Sequence, residues 1–182
     1  MTIISPADAD EAYAAVEAAI NFYGPVYMRF GRFPVPNLTS EMADYKFEIG
    51  KGVTYREGKD VTIVANGYMV HLAVEAAEML AKEGIDAGVI NIHTIKPLDT
   101  ELLSAAAKRS GAIVTAEEHS VIGGLGAAVC EALAECCPVP VLRVGVEDKY
   151  GRSGKVPELL ELFGLTAENI AAKARLAVSM KK

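Results

Sequence analysis

The sequence is poor in three features that often reveal a protein's partners: cysteine, positive charge and long apolar runs. Its only cysteines, Cys130, Cys136 and Cys137, are clustered without a CxxC pair, so neither a zinc site nor a redox pair is expected. Eighteen basic against 24 acidic residues give a net charge of −6, which disfavours binding to nucleic acid or anionic lipid. No apolar run approaches the ~20 residues that span a bilayer, and the start lacks the basic segment of a signal peptide. We therefore expect a cytoplasmic protein with no nucleic-acid or membrane partner.

Hydrophobic residues make up 51% of the 182 residues and charged residues 23%, as in globular proteins. Four apolar runs, at residues 61–65, 87–92, 112–116 and 141–144, alternate with helical patterns at 69–83, 99–108, 125–135 and 156–163. Continuous apolar runs are typical of strands buried on both faces, and strands alternating with helices indicate parallel pairing. The sequence predicts a three-layer α/β fold, with a largely parallel sheet and helices on both faces.

A partial α/β segment precedes this domain. Residues 2–4 and 26–30 predict short strands around a helix that begins with Ser5 as N-cap and Pro6 as first residue, and residues 33–57 have no strong period and predict a linker. An isolated strand, helix and strand would leave apolar side chains poorly covered, so we expect self-association or a missing partner. The side chains concerned are Ile3, Ile4, Val26 and Met28.

Two arginines, Arg29 and Arg32, stand at the end of the second short strand. A guanidinium suits bidentate capture of a phosphate, but an arginine at a strand end could equally form a surface pair with Glu41 or Asp44. The residues alone leave both alternatives open.

A second candidate is the segment that follows the third strand of the sheet. It contains Glu118, His119 and Ser120, followed by Gly123, Gly124 and Gly126. Ligands often bind where parallel strands end, and glycines at a helix start expose N–H groups, so the segment could bind an anion or form an interface. The spacing fits neither a GxGxxG nor a P-loop motif, and Ser120 lacks the GxSxG context of a hydrolase nucleophile. The alternative is a polar strand end that caps a helix.

Several motifs, in order along the chain, resemble the carboxy-terminal section of transketolases. They are Ser-Pro-Ala-Asp-Ala-Asp-Glu at 5–11, Gly-Pro-Val-Tyr-Met-Arg-Phe-Gly-Arg at 24–32, Gly-Lys-Asp-Val-Thr-Ile-Val-Ala-Asn-Gly at 58–67, Ile-Lys-Pro-Leu-Asp at 95–99, Glu-Glu-His with Gly-Gly-Leu-Gly at 117–126, and Gly-Arg-Ser-Gly at 151–154. The match is most similar to split transketolases, whose two halves are separate polypeptides. It implies a terminal segment of the pyrimidine-binding domain at 1–33, a linker at 34–57 and the C-terminal domain at 58–182.

The resemblance implies a role in transferring a two-carbon ketol group between sugar phosphates. The family's thiamine diphosphate and Mg²⁺ would bind mostly outside this chain, which has no counterpart of the catalytic glutamate or the metal ligands. Arg32 matches the family's substrate-phosphate arginine, and Arg29 matches an arginine of the deoxyxylulose-phosphate synthases. The chain would need an N-terminal subunit or section, would form homo-oligomers through its C-terminal domain, away from the cofactor, and would be inactive alone.

Other assignments remain open at this point. The C-terminal domain is similar in deoxyxylulose-phosphate synthases and in the beta subunits of 2-oxoacid dehydrogenases. A non-catalytic module that mediates oligomerisation or binds a regulatory anion at Gly123, Gly124 and Gly126 is the main alternative from another class. A hydrolase using His119 and Ser120 is the least favoured, because of its motif context.

Overall fold

The computed structural model describes residues 1–42 and 45–181. Its strands are Thr2–Ile4 (β1), Val26–Met28 (β2), Val53–Arg56 (β3), Val61–Ala65 (β4), Ala87–Asn91 (β5), Thr94–Lys96 (β6), Ile113–Ser120 (β7) and Val141–Val146 (β8). Its α-helices are Ala9–Ile20 (α1), Met69–Lys82 (α2), Thr100–Ser110 (α3), Leu125–Cys136 (α4), Val156–Phe163 (α5) and Ala167–Ser179 (α6).

The main sheet has five strands in the order β3-β5-β4-β7-β8. All neighbours pair in parallel except β3, which runs antiparallel to β5. One face packs against α2 and α6 through residues such as Ile63, Leu80 and Ile170, and the other packs against α3 and α4 through residues such as Val64 and Leu103. The predicted three-layer α/β architecture is confirmed.

Local sequence signals set the helix ends, and they explain why several observed helix boundaries agree with the predicted ones. Asp99 accepts a hydrogen bond from the Leu102 N–H and caps α3, whereas Gly111 ends that helix at φ +69°. Thr166 caps α6 by accepting from the Asn169 N–H, as predicted, and Gly164 follows α5. A side-chain acceptor at the start and a left-handed glycine at the end are the usual helix boundaries.

The first helix begins later than predicted. Asp8, not Ser5, is the N-cap of α1, and its carboxylate accepts a hydrogen bond from the Glu11 N–H at 2.9 Å. Pro6 lies before the helix instead of at its first position. Asp8 is held at this position by further hydrogen bonds, which its carboxylate accepts from the N–H and the hydroxyl of Thr39.

The preceding segment forms a second, three-stranded sheet in the order β2-β1-β6. Its third strand, β6, comes from the C-terminal part of the chain and pairs antiparallel with β1. This pairing contributes to the burial of Ile4, which has no exposed surface, so the expectation that Ile4 is poorly covered was wrong. Ile3, Val26 and Met28 are half-buried.

The stretch predicted as a linker contains one strand of the main sheet. Strand β3, at Val53–Arg56, pairs with β5, with Val53 opposite Asn91. Its residues alternate Val, Thr, Tyr and Arg, which is the pattern of an edge strand and not the continuous apolar run of a central one. The sheet therefore begins several residues before the predicted domain boundary at residue 58.

Candidate functional site

The arginine-bearing strand end lies directly against the C-terminal domain. The Arg29 backbone N–H donates to the Ile4 carbonyl at 2.9 Å, extending the pairing of β1 and β2, and its Nη2 donates to Ser5 Oγ at 3.4 Å. Arg32 follows three residues later and is exposed. Both arginines line one cavity of about 220 Å³.

The other side of this cavity is built from the carboxyl ends of two parallel strands. Asn66, Gly67 and Tyr68 follow β4, and Glu118 lies near the end of β7. Ser5, Phe30 and Gly31 complete the lining. In open α/β sheets this edge is where ligands usually bind. The structure thus brings together three of the predicted site residues: Arg29, Arg32 and Glu118.

The charges of the cavity favour an anion. Its two arginines face one carboxylate, and desolvation around Glu118 raises the pKa of that carboxyl, while the positive charge of Arg29 lowers it. Across residues 1–42 and 45–181, Arg32 makes no hydrogen bond or salt bridge, and neither arginine pairs with Glu41. The other surface partner considered, Asp44, lies outside the described residues.

Asn66 is a site residue that the sequence analysis missed. It has no exposed surface, and neither atom of its side-chain amide has a hydrogen-bond partner in the described part of the chain. Its backbone is fixed, because its N–H donates to the Ala116 carbonyl and its carbonyl accepts from the Met69 N–H. Its position immediately after an apolar strand was the signal that could have identified it.

At the glycine segment, residues 123–126, the structure shows the second of the two alternatives, a polar strand end that caps a helix. Glu117, which is buried, accepts hydrogen bonds from the N–H groups of Leu125 at 2.7 Å and Gly126 at 2.9 Å. A Cβ at Gly124 would collide with the Glu117 carboxylate, which explains why glycine stands there. The N–H groups of Leu125 and Gly126 are therefore satisfied by the chain itself. Burial raises the pKa of the Glu117 carboxyl, while these two hydrogen bonds lower it.

The remaining predicted residues of this segment do not join the arginine cavity. His119 and Ser120 belong to β7, which extends four residues beyond the predicted end at 116. The hydroxyl of Ser120 accepts from the Ile122 N–H, and His119 Nδ1 contacts the Ser120 carbonyl oxygen instead of its hydroxyl. Gly123 and Gly124 line a separate cavity beside Ile3 and Ala128. The serine and histidine side chains thus do not form a nucleophile–base pair.

A buried carboxylate ties the first helix to the main sheet. Glu11 accepts hydrogen bonds from the Ala7 N–H and the Tyr45 hydroxyl, both at 2.6 Å, and from Asn91 Nδ2 at 2.9 and 3.0 Å. Burial raises the pKa of the Glu11 carboxyl against the lowering effect of these donors. The network ties the start of α1 to β5 of the main sheet.

Within 1–42 and 45–181, no three His, Cys, Asp or Glu side chains converge to hold a metal ion. No helix in those ranges is long and apolar enough to cross a membrane. The described part of the chain thus has no ligand set for the Mg²⁺ that the resemblance implies.

The structure is thus a three-layer α/β domain with an arginine-lined cavity where the domain meets the partial α/β segment. The model of the C-terminal domain of transketolase matches residues 50–170. This chain belongs to the transketolase family, as its motifs predicted.

Relatives in the family support this assignment over the whole chain. The 6-deoxy-6-sulfo-D-fructose transketolase subunit SqwH of Clostridium sp. (strain MSTE9) is 47% identical over 181 residues, which cover 100% of this chain and 56% of the relative. A 1-deoxy-D-xylulose-5-phosphate synthase of Heliobacterium modesticaldum is 41% identical over 96% of this chain and 27% of its own length. The chain thus spans about half the length of the subunit and a smaller part of the synthase.

A solved structure shows the same fold in a split enzyme. It is described as a split gene transketolase, inactive beta4 tetramer, and it matches with a TM-score of 0.93 and 49% identity, covering 100% of this chain and 58% of that chain. The predicted similarity to split transketolases is confirmed.

Proposed function

We propose that this chain is the carboxy-terminal section of a transketolase that moves a two-carbon ketol group between phosphorylated or similarly anionic sugars. The observation that carries the proposal is the cavity in which Arg29 and Arg32 face the strand ends of the C-terminal domain. One relative is named for a sulfonated sugar, 6-deoxy-6-sulfo-D-fructose. Sulfonate and phosphate groups are both anionic, and a guanidinium binds such groups well.

In this proposal the protein positions the substrate through its remote end. Arg32 holds the anionic group, with Arg29 beside it, and this binding energy keeps the reacting carbons in place. Thiamine diphosphate, when bound by the remaining part of the enzyme together with Mg²⁺, supplies the carbanion chemistry. No residue of this chain is assigned a covalent or proton-transfer step.

The proposal includes an N-terminal partner and self-association. The chain spans little more than half of its subunit relative, and the matched split enzyme is described as inactive when it is a tetramer of beta chains. Large apolar side chains on α1 and near β2 are exposed, which favours their burial in an assembly. They are Tyr13, Ile20, Tyr23, Tyr27 and Phe30. We expect the isolated chain to be inactive, and cytoplasmic location remains a prediction.

The domain division is retained as part of the proposal, with one change. Residues 1–33 would belong to the pyrimidine-binding domain, and the C-terminal domain would include β3 at Val53–Arg56 in addition to 58–182. The non-catalytic alternative was a module that mediates oligomerisation or binds a regulatory anion at the glycine segment. Glu117 occupies the N–H groups of Leu125 and Gly126, so no specific observation favours that alternative.

The proposal is tested by Arg32→Ala in the enzyme reconstituted with an amino-terminal transketolase section. Losing a charge-assisted contact to the anionic group should raise KM for the sugar phosphate roughly tenfold or more, with a smaller effect on kcat. Arg152→Ala, which removes an exposed arginine outside the cavity, is the matched control and should leave KM unchanged. Equal KM values for all three enzymes would remove Arg32 from the substrate site.

A further inference from the structure

One residue that lines the arginine cavity carries a buried amide that has no hydrogen-bond partner in the described part of the chain. Asn66 is fully buried, and both its Oδ1 and its Nδ2 lack partners among residues 1–42 and 45–181. An unpaired buried amide costs free energy, so such groups are normally paired with protein, water or a ligand. Asn66 is one of the residues that line the same cavity as Arg29 and Arg32.

The chemistry of the amide restricts what can satisfy it. Nδ2 donates two hydrogen bonds, whereas Oδ1 only accepts. A phosphate or sulfonate group offers acceptor oxygens and could pair with Nδ2, but it leaves Oδ1 without a donor. A hydroxyl group can donate to Oδ1 and accept one hydrogen bond from Nδ2, and an oxygen of the neighbouring anionic group can accept the second.

The size of the cavity agrees with the binding of an anionic group together with one neighbouring hydroxyl. Its volume of about 220 Å³ is smaller than a pocket that encloses a whole ligand of drug size. It suits one end of a sugar phosphate: the anionic group and the neighbouring hydroxyl-bearing carbon. An adjoining cavity of about 300 Å³ shares Phe30, Gly31 and Tyr68 with it, which provides room for the rest of a longer ligand.

We propose that Asn66 is a specificity-determining residue of the C-terminal domain, whose amide binds a hydroxyl of the substrate next to the anionic group held by Arg32. The proposal rests on the function proposed above, and it gives the C-terminal domain a part in substrate recognition. The arginines then bind any anionic end, and Asn66 distinguishes hydroxylated from deoxygenated ligands.

The test compares two small phosphates that differ in their hydroxyl groups. Glycerol 3-phosphate and n-propyl phosphate carry the same anionic group, and their Kd values for the full chain are measured by titration calorimetry or NMR. One matched hydrogen bond in a buried site should make glycerol 3-phosphate bind roughly five- to tenfold tighter. In Asn66→Leu, which keeps the side-chain size and removes the amide, this preference should disappear, while n-propyl phosphate binds as before. Asn66→Ala provides the same readout if the leucine variant does not fold.

Two control variants separate this role from others. Thr115→Val removes another buried polar group without a partner in the described chain, on the neighbouring strand but outside the cavity lining, and should keep the preference. Arg32→Ala should weaken both phosphates by a similar factor.

Each outcome has a distinct meaning. Equal Kd values for the two phosphates in the unsubstituted chain would overturn the Asn66 proposal and assign its amide to bound water, while the anion site itself would stand. A preference that survives in both Asn66 variants would also overturn it. If neither phosphate binds, the anion site of the proposed function fails, and the Asn66 proposal fails with it.

Discussion

The substitution Glu11→Ala tests the hydrogen-bond network that ties the start of α1 to β5 of the main sheet. Glu11 has no exposed surface, and its carboxylate is the common acceptor for the Ala7 N–H, the Tyr45 hydroxyl and the Asn91 amide. Removing it leaves these three donors without that acceptor. Tyr45 is half-buried and can turn to water, whereas Asn91 is fully buried.

The expected cost follows from these contacts. Each buried donor left unpaired costs about 1–3 kcal/mol, and removal of the carboxylate recovers part of its own desolvation penalty. We expect the free energy of unfolding to fall by about 3 kcal/mol, a large part of the 5–15 kcal/mol that is typical of proteins. Urea unfolding followed by far-UV circular dichroism should show this as a lower midpoint with a similar slope.

Asp10→Ala is the matched control, because Asp10 is an exposed acid in the same first turn of α1. Its loss should cost no more than about 1 kcal/mol, the usual size of a helix-dipole contribution. The reasoning is refuted if Glu11→Ala and Asp10→Ala destabilise the chain equally, since the buried carboxylate would then contribute nothing beyond its charge near the helix start.

Two further predictions concern buried groups near the site. Burial lowers the pKa of His93 to about 4 from an ordinary 6.5, so the unfolded chain binds the extra proton between these values and stability should fall by about 3 kcal/mol as pH drops from 7 to 4. His93→Gln should lose this component in pH-dependent urea titrations, whereas the exposed His119→Gln should retain it. Gly124→Ala should destabilise the chain by about 2 kcal/mol or more, because its Cβ collides with Glu117. Gly151→Ala, with open space around the position, should be nearly neutral in the same assay, and comparable losses for both glycines would contradict the role of Glu117.

The parts of the fold that could be predicted are those set by local pattern. Strand β4 is a continuous apolar run, and α5 ends at a glycine, so both were predicted with their observed limits. Strands β3 and β6 were missed because they lie at sheet edges and are recognisable only by their partners. Asp8 and Ser5 are both good N-cap residues, and the additional bonds of Asp8 to Thr39 depend on the tertiary structure.

The residues of the candidate site also divide into those that the sequence indicates and those that only the tertiary structure reveals. Arg29 and Arg32 could be identified from residue type and resemblance, and Glu118 from its place at a strand end. The position of Asn66 directly after β4 could have marked it as a candidate, but the lack of partners for its buried amide is apparent only in the structure. Likewise, Glu117 and Glu118 are adjacent and chemically identical, but alternation along β7 directs one carboxylate to the start of α4 and the other to the arginine cavity.

The most direct test of the account is transketolase activity, with thiamine diphosphate and Mg²⁺, of this chain alone and of the chain mixed with an amino-terminal transketolase section. We predict no ketol transfer by the chain alone and transfer in the mixture. Transfer in the mixture requires that the segment with Arg29 and Arg32 complete a site with the added polypeptide. Transfer by the chain alone would contradict the proposed need for a partner. No transfer in a mixture that forms a stable complex would contradict the proposed enzymatic role.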